Sequence, residues 1–149
     1  MTVVCVRDGV MATDSRATAE DGKAHRCEKL YRFGPLIVGV SGSQPGCMAF
    51  VRYFRARAEE QDDYDFEGAS ALVLCPKRGI LIFDDCGEPD PVQEPFFAIG
   101  SGGQVALGAM HMGASAVQAV EAACRWNASC GLPIISMSMK RSRPGSPRK

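Results

Sequence analysis

The sequence contains little of what marks a metalloprotein, a disulfide-rich protein or a membrane protein. Its two histidines are far apart and its seven cysteines form no Cys-x-x-Cys pair, so no zinc-ligand spacing is present. The cysteine count is odd, and several cysteines lie in apolar stretches, where a free thiol behaves as a small hydrophobic side chain. No apolar run approaches membrane-spanning length, and no signal-peptide pattern precedes the first strand. We therefore expect a protein of the reducing cytoplasm, without a metal, a cofactor or a membrane partner.

The length and composition are those of one globular domain. Hydrophobic residues make up 46% and charged residues 23% of the 149 residues. A chain of this length buries roughly 68–70% of its unfolded surface. The formal net charge is zero, but residues 140–149 hold five of the 17 basic residues and no acidic residue. Because this tail has no apolar residue with which to pack, the sequence predicts a folded domain over 1–139 and a disordered basic tail over 140–149, with no specific nucleic-acid binding.

The N-terminal stretch predicts a β-hairpin that begins almost at the chain terminus. Apolar residues alternate on either side of Asp8-Gly9, a dipeptide that readily adopts the positive φ angles of a two-residue turn. Thr2 then lies at the start of the hairpin, and Asp14 follows its returning strand. Removal of Met1, expected because Thr is small, would give Thr2 a free amine beside its hydroxyl nucleophile. That amine has a reference pKa of about 7.7 to 8.0, so it can accept a proton at neutral pH.

The rest of the pattern predicts antiparallel sheets covered by helices. Further strands are expected at 26–33, 36–40, 71–75, 79–83, 96–99 and 134–139, and helices at 45–60, 105–112 and 116–126. The polar segment 15–25 is expected to be a loop. Strand runs joined by tight turns, with helices grouped between them, favour an α+β fold over βαβ units. Gly/Ser runs at 41–43, 100–103 and 129–131 could bring backbone N–H groups close to a ligand, or each could be an ordinary turn.

Five segments within residues 1–139 occur in a characteristic order and spacing. They are Thr2 after the initiator Met, Asp14-Ser15-Arg16-Ala17-Thr18, Glu28-Lys29, Val40-Ser41-Gly42-Ser43 and Ile99-Gly100-Ser101-Gly102. In this arrangement the chain resembles a β-type proteasome subunit, and more closely the bacterial HslV-type peptidases, which are N-terminal-nucleophile hydrolases. The resemblance implies a four-layer αββα sandwich of two antiparallel sheets.

The resemblance also implies catalytic roles. Thr2 resembles the nucleophile through its hydroxyl and the proton acceptor through its amine. Lys29 resembles the catalytic lysine, because a cation beside an ammonium group lowers the pKa of that group. Asp14 resembles the acid that pairs with the lysine. Gly42 resembles the glycine whose N–H faces the developing oxyanion, a contact worth roughly 2.7–4 kcal/mol in other hydrolases.

Other matched positions imply supporting and substrate-binding roles. Ser101 resembles a supporting serine near the Thr amine. Asn127 occupies the position of an Asp near that amine, and Cys130 the position of a nearby Ser. The implied substrate-binding residues are Ala17, Thr18, Cys27, Val40 and Gln44. Some of these positions hold the substrate as an added antiparallel strand in the family. The others form an uncharged pocket that favours an apolar residue before the cleaved bond.

The function implied by the resemblance is a threonine-type endopeptidase in a self-compartmentalising homo-oligomeric ring. Such a ring receives unfolded polypeptide from a separate ATP-dependent unfoldase. The chain departs from the family in two respects: its first hairpin is shorter by about four residues, an even number that keeps side chains on the same face, and a second long helix after residue 60 is largely missing. Two alternatives therefore stay open. One is a catalytically inactive ring subunit with a structural or regulatory role, and the other is a non-peptidase amidohydrolase or acyltransferase of the same superfamily.

Overall fold

The computed structural model describes residues 2–56 and 64–139. Met1, the expected last turn of the first helix and the predicted basic tail fall at 1, 57–63 and 140–149, outside the described residues. The strands are β1 (Val4–Arg7), β2 (Val10–Thr13), β3 (Arg16–Thr18), β4 (Ala24–Arg26), β5 (Leu30–Phe33), β6 (Leu36–Gly42), β7 (Ala69–Cys75), β8 (Gly79–Phe83), β9 (Pro89–Pro91), β10 (Phe96–Ile99) and β11 (Ile135–Ser138). The helices are α1 (Gln44–Arg55), α2 (Gly103–His111) and α3 (Ala116–Trp126).

Two antiparallel sheets form the centre of the fold. One has the strand order β10-β1-β2-β11, and the other has the order β5-β6-β7-β8-β9. Three apolar clusters fill the spaces between successive layers: α1 packs on the five-stranded sheet, the two sheets pack on each other, and α2 and α3 pack on the four-stranded sheet. The architecture is therefore the predicted α+β sandwich of four αββα layers.

The first strand shows why the sequence adopts this layered arrangement. Val3 and Cys5 point to the helices, whereas Val4 and Val6 point to the second sheet, because successive side chains of a strand lie on opposite faces. All four side chains are fully buried. A strand covered on both faces has to be apolar throughout, which explains the unbroken run from position 3 to position 6.

The predicted hairpin is confirmed. Asp8 and Gly9 have φ angles of 52° and 75°, as a two-residue turn of type I′ requires. The register pairs Val4 with Thr13. This pairing brings the residue after β2, Asp14, next to the residues that precede β1.

Three details of the sequence-based assignment were wrong. The segment 15–25, expected to be a loop, contains β3 and most of β4, which form a separate two-stranded ribbon. The strand expected at 26–33 begins only at Leu30, because residues 27–29 have no regular structure. The short edge strand β9, whose outer residues are both prolines, was not predicted at all. The β3–β4 ribbon and β9 are largely exposed, so they lack the apolar periodicity that indicates a strand. The alternation over 26–33, in contrast, extended the predicted strand past its true start at Leu30.

Two further observations concern the cysteines and the helices. All seven cysteines carry free thiols. In the described part of the chain, no helix combines the length and the apolar character needed to cross a membrane.

Candidate active site

A buried cluster of three polar side chains lies where the two sheets and the N-terminus meet. The Thr2 hydroxyl donates a hydrogen bond to Asp14 Oδ1 at 2.6 Å. The Lys29 ammonium lies 2.9 Å from the same oxygen. Thr2, Asp14 and Lys29 are 2%, 0% and 7% exposed, respectively. One carboxylate oxygen thus connects the hydroxyl and the ammonium group in a nearly dry environment.

Backbone groups hold the Asp14 carboxylate in place. Its Oδ1 also accepts from the Val3 N–H at 3.2 Å, while Oδ2 accepts from Gly131 N at 3.0 Å and Arg16 N at 3.3 Å. A buried charge is tolerated when such donors and a counter-ion replace water. The three segments around residues 3, 16 and 131 therefore fix the orientation of this one side chain.

Lys29 reaches the cluster because the chain is irregular just before β5. Its ammonium group donates a second hydrogen bond to the carbonyl oxygen of Arg16. The Lys29 carbonyl accepts from Val40 N at 3.0 Å, which ties the start of β5 to β6. A regular exposed strand, as predicted at 26–33, would have left Lys29 free to face water. Lys29 therefore contacts Asp14 and Arg16 from the irregular segment that directly precedes β5.

A second polar network lies behind Thr2. The Thr2 carbonyl accepts from Gly102 N at 3.1 Å and, at 3.4 Å, from the Ser101 hydroxyl. The Asn127 amide donates to the Ser101 carbonyl at 3.0 Å. A side chain at Gly100 is excluded here, because a Cβ would lie 2.2 Å from the Thr2 carbonyl oxygen and φ is +96°. This network therefore positions the backbone of Thr2 and does not touch its hydroxyl.

Sequence reasoning missed Ser129 in this network. Its hydroxyl lies 3.2 Å from the Ser101 hydroxyl and donates to Asn127 Oδ1 at 2.5 Å. Cys130, which was placed at the position of a family serine, is instead packed in the apolar cluster between α2, α3 and the four-stranded sheet. The Asn-x-Ser spacing after α3, which allows Asn127 to accept from Ser129 N at 2.9 Å, was the signal that could have identified it.

A groove of about 210 Å³ opens directly at Thr2. It is lined by Lys29 and Gly42 and by all five expected substrate-binding residues, Ala17, Thr18, Cys27, Val40 and Gln44. Arg16, Glu28, Ser41, Cys47 and Met48, which were not predicted, complete the lining. Ser101 and Asn127 are not part of this lining. Gly42 ends β6 with a φ of +120°, and a Cβ there would lie 2.1 Å from the Gly68 carbonyl oxygen, so this position requires glycine.

The two cysteine thiols of the groove are poor candidates for the nucleophile. Burial raises the pKa of Cys47 to about 11, and burial also raises the pKa of Cys27. Both thiols therefore stay protonated at neutral pH, whereas a reactive cysteine needs a lowered pKa. Among the described residues, the possible metal-binding group is Asp84, Asp85 and Cys86, which is exposed and outside the groove. The Thr2 hydroxyl is the candidate nucleophile, because it shares the Asp14 oxygen with the Lys29 ammonium group.

The fold is shared with solved structures over nearly the whole chain. The protein BPH from Thiobacillus denitrificans, solved in complex with epoxomicin, is 25% identical with a TM-score of 0.69, and the match covers 94% of this chain and 100% of that chain. A second structure of BPH is 24% identical with a TM-score of 0.67 over 94% and 98% of the two chains. Eukaryotic HslV from Trypanosoma brucei is 16% identical with a TM-score of 0.62 over 92% and 98%. No family model matches the sequence, and neither does any curated protein.

These likenesses and the four-layer sandwich define the fold of the chain, which is that of the N-terminal-nucleophile hydrolases. Over most of its length the chain is structurally similar to BPH and to eukaryotic HslV.

Proposed function

We propose that this chain is a threonine-type endopeptidase that uses Thr2 as its nucleophile. The observation that carries the proposal is the shared Asp14 oxygen, which holds the Thr2 hydroxyl and the Lys29 ammonium at one end of an open groove. An inactive structural subunit would have no need of a buried ion pair, which is costly to desolvate, beside an exposed groove.

The proposed reaction proceeds through an ester on Thr2. After Met1 is removed, the Thr2 hydroxyl oxygen attacks the carbonyl carbon of the peptide bond, and its proton passes to the new α-amine. Gly42 N–H stabilises the oxyanion that forms. The carbon–nitrogen bond then breaks, and the leaving amine takes the proton. Water hydrolyses the ester, which releases the acyl product and restores the hydroxyl.

Lys29 and Asp14 have distinct parts in this scheme. The positive charge of Lys29 disfavours a second positive charge on the nearby amine, so more of that amine is neutral and able to accept a proton. Asp14 holds the Lys29 ammonium in position through the 2.9 Å contact. Substrate is expected to lie along the groove between Thr18 and Gln44 as an added strand.

The wider setting is also part of the proposal. We infer a homo-oligomeric ring in the cytoplasm that receives unfolded polypeptide from a separate ATP-dependent unfoldase and needs no cofactor. The similarity to HslV supports the ring, and the free thiols agree with a reducing compartment. The similar T. denitrificans protein was solved with epoxomicin, so we propose that the groove of this chain binds epoxomicin as well.

The first prediction concerns processing of the N-terminus. We expect the intact mass of the purified chain to be lower than that of the full sequence by one methionine, with Thr2 as the first residue. An amide nitrogen in a peptide bond cannot serve as the base, so catalysis requires this removal. Intact-mass spectrometry and N-terminal sequencing measure it, and retention of Met1 in most molecules of an active preparation would rule out the proposed mechanism.

The second prediction concerns assembly. The proposed ring would keep the groove away from folded cellular protein, since most soluble homo-oligomers close through a point-group symmetry. We expect light scattering at micromolar concentration to give a mass many times that of the 16.0 kDa protomer. A stable monomer with full activity on peptides would contradict the compartmentalised ring.

A further inference from the structure

We infer that a second cleft, next to the catalytic cluster, binds a small phosphomonoester. This basic cleft has a volume of about 300 Å³ and is lined by Arg16, Ala24, His25, Arg26, Gly131 and Leu132. Two arginines and a histidine are among its lining residues, and no acidic residue is. The proposed function assigns no role to the side chains that line it.

The pairing of β3 with β4 brings two positively charged residues close together. Arg16 lies directly opposite Arg26 in the register of this ribbon. Directly opposed residues of an antiparallel pair have their Cβ atoms about 4.5–5.5 Å apart, and like charges in this position destabilise the pairing. A bound anion removes that repulsion, because guanidinium groups donate paired hydrogen bonds to phosphate oxygens.

A buried donor on Arg16, one of the residues that line the cleft, supports the same conclusion. Arg16 Nε is inaccessible to solvent and has no hydrogen-bond partner among residues 2–56 and 64–139. Leaving a buried donor unsatisfied costs free energy, more so when the group is charged. The side chain of Arg16 is held over Gly131, where a Cβ would lie 2.8 Å from Arg16 Cδ. The aliphatic part of the Arg16 side chain therefore packs closely over Gly131.

The size and lining of the cleft indicate an ester in preference to the free ion. A water molecule occupies about 30 Å³ in the liquid, so a cleft of about 300 Å³ holds a phosphoryl group and a small organic group. Leu132, which is 70% exposed, lines the cleft together with Ala24 and offers an apolar contact for that organic group. A phosphomonoester carries about −1.5 to −2 charges at pH 7, which matches two guanidinium groups better than a single carboxylate does.

Calorimetric titration of the full-length protein tests the inference without any substrate of the proposed peptidase. The probes are inorganic phosphate, phenyl phosphate and benzoate at constant ionic strength. We expect one saturable site per chain, with phenyl phosphate bound more tightly than inorganic phosphate and at least tenfold more tightly than benzoate. Absence of saturable binding, or equal binding of benzoate and phenyl phosphate, would overturn the inference.

Three variants locate the site. Arg26→Gln should lower the affinity for inorganic phosphate and for phenyl phosphate at least tenfold. Leu132→Ser should lower the affinity for phenyl phosphate alone. Lys23→Gln is the matched control, because Lys23 lies on the same ribbon connection, is exposed and does not line the cleft. If Arg26→Gln and Lys23→Gln lower the affinity equally, the phosphate ligands are attracted by the basic surface as a whole and the cleft is not a specific site. An unchanged phenyl phosphate affinity in Leu132→Ser would contradict the apolar half of the site.

Discussion

Replacing Thr2 with Ala is expected to lower peptide hydrolysis by at least about 1,000-fold, because removal of a nucleophile abolishes most of the catalysis in other hydrolases. Alanine is small enough for Met1 still to be removed, so the α-amine is kept and only the hydroxyl is lost. The lost hydrogen bond to the Asp14 carboxylate costs stability of roughly 1.5–3 kcal/mol, too little to unfold an ordinary domain. Hydrolysis of a fluorogenic peptide by the assembled variant measures the effect.

Thr2→Ser is the matched control for this experiment. Serine keeps the hydroxyl and the amine and differs by one methyl group, so a large part of the activity should remain. Lys29→Ala should cause a loss comparable to that of Thr2→Ala, and the double variant should be scarcely worse than either, because residues that act as one unit are not additive. Wild-type rates in an assembled Lys29→Ala variant would show that Lys29 has no part in the chemistry.

The second large effect is expected on stability, from breaking the buried ion pair between Asp14 and Lys29. Asp14→Asn removes the carboxylate that faces the Lys29 ammonium at 2.9 Å, and Lys29→Met removes the ammonium that faces the carboxylate. Because each single change leaves a charge in the interior without this partner, each should lower the free energy of unfolding by roughly 3–5 kcal/mol. Urea unfolding at one fixed protein concentration measures the loss, since the stability of an oligomer depends on concentration.

Changing both residues together separates stability from catalysis. The double variant Asp14→Asn with Lys29→Met has no buried charge at the site and should be more stable than either single variant, yet it should remain inactive. Asp21→Asn provides the surface control, because the pair of Asp21 with Lys23 is 3.2 Å apart but exposed, and exposed pairs contribute about 0–1 kcal/mol. A double variant with restored activity would mean that the pair serves only the fold.

The first hairpin was predicted well because its signals are local, whereas the four-layer arrangement was implied by the resemblance to a family. The Asp8-Gly9 turn and strand β1 could be recognised from neighbouring residues alone, and both are present in the structure. The predicted alternation did not show that β1 is buried on both faces. The β3–β4 ribbon could not be recognised, because its residues are largely exposed and carry no periodic pattern. It is held instead through long-range contacts such as Cys27 N to the Ser15 carbonyl at 2.9 Å.

The candidate site was predictable only in part, for a similar reason. Thr2, Asp14 and Lys29 were identified by their resemblance to a family, and the structure brings the three side chains together. The Gly131 N–H that holds Asp14 is separated from it by 117 positions, so no local pattern connects the two residues. Which residue after α3 meets Ser101 depends on how the chain leaves the helix, so the contact of Ser129 with Ser101 could not be predicted from the sequence.

The central claim is that Thr2 carries the acyl group during turnover. Acid quenching of the processed protein during hydrolysis of a peptide, followed by tandem mass spectrometry, tests it most directly, because acid preserves an ester. We expect the mass of Thr2 in the N-terminal peptide to increase by the mass of the acyl fragment. The Thr2→Ala variant should show no such adduct. An adduct on a cysteine of the groove, Cys27 or Cys47, together with continued hydrolysis by Thr2→Ala, would contradict the account.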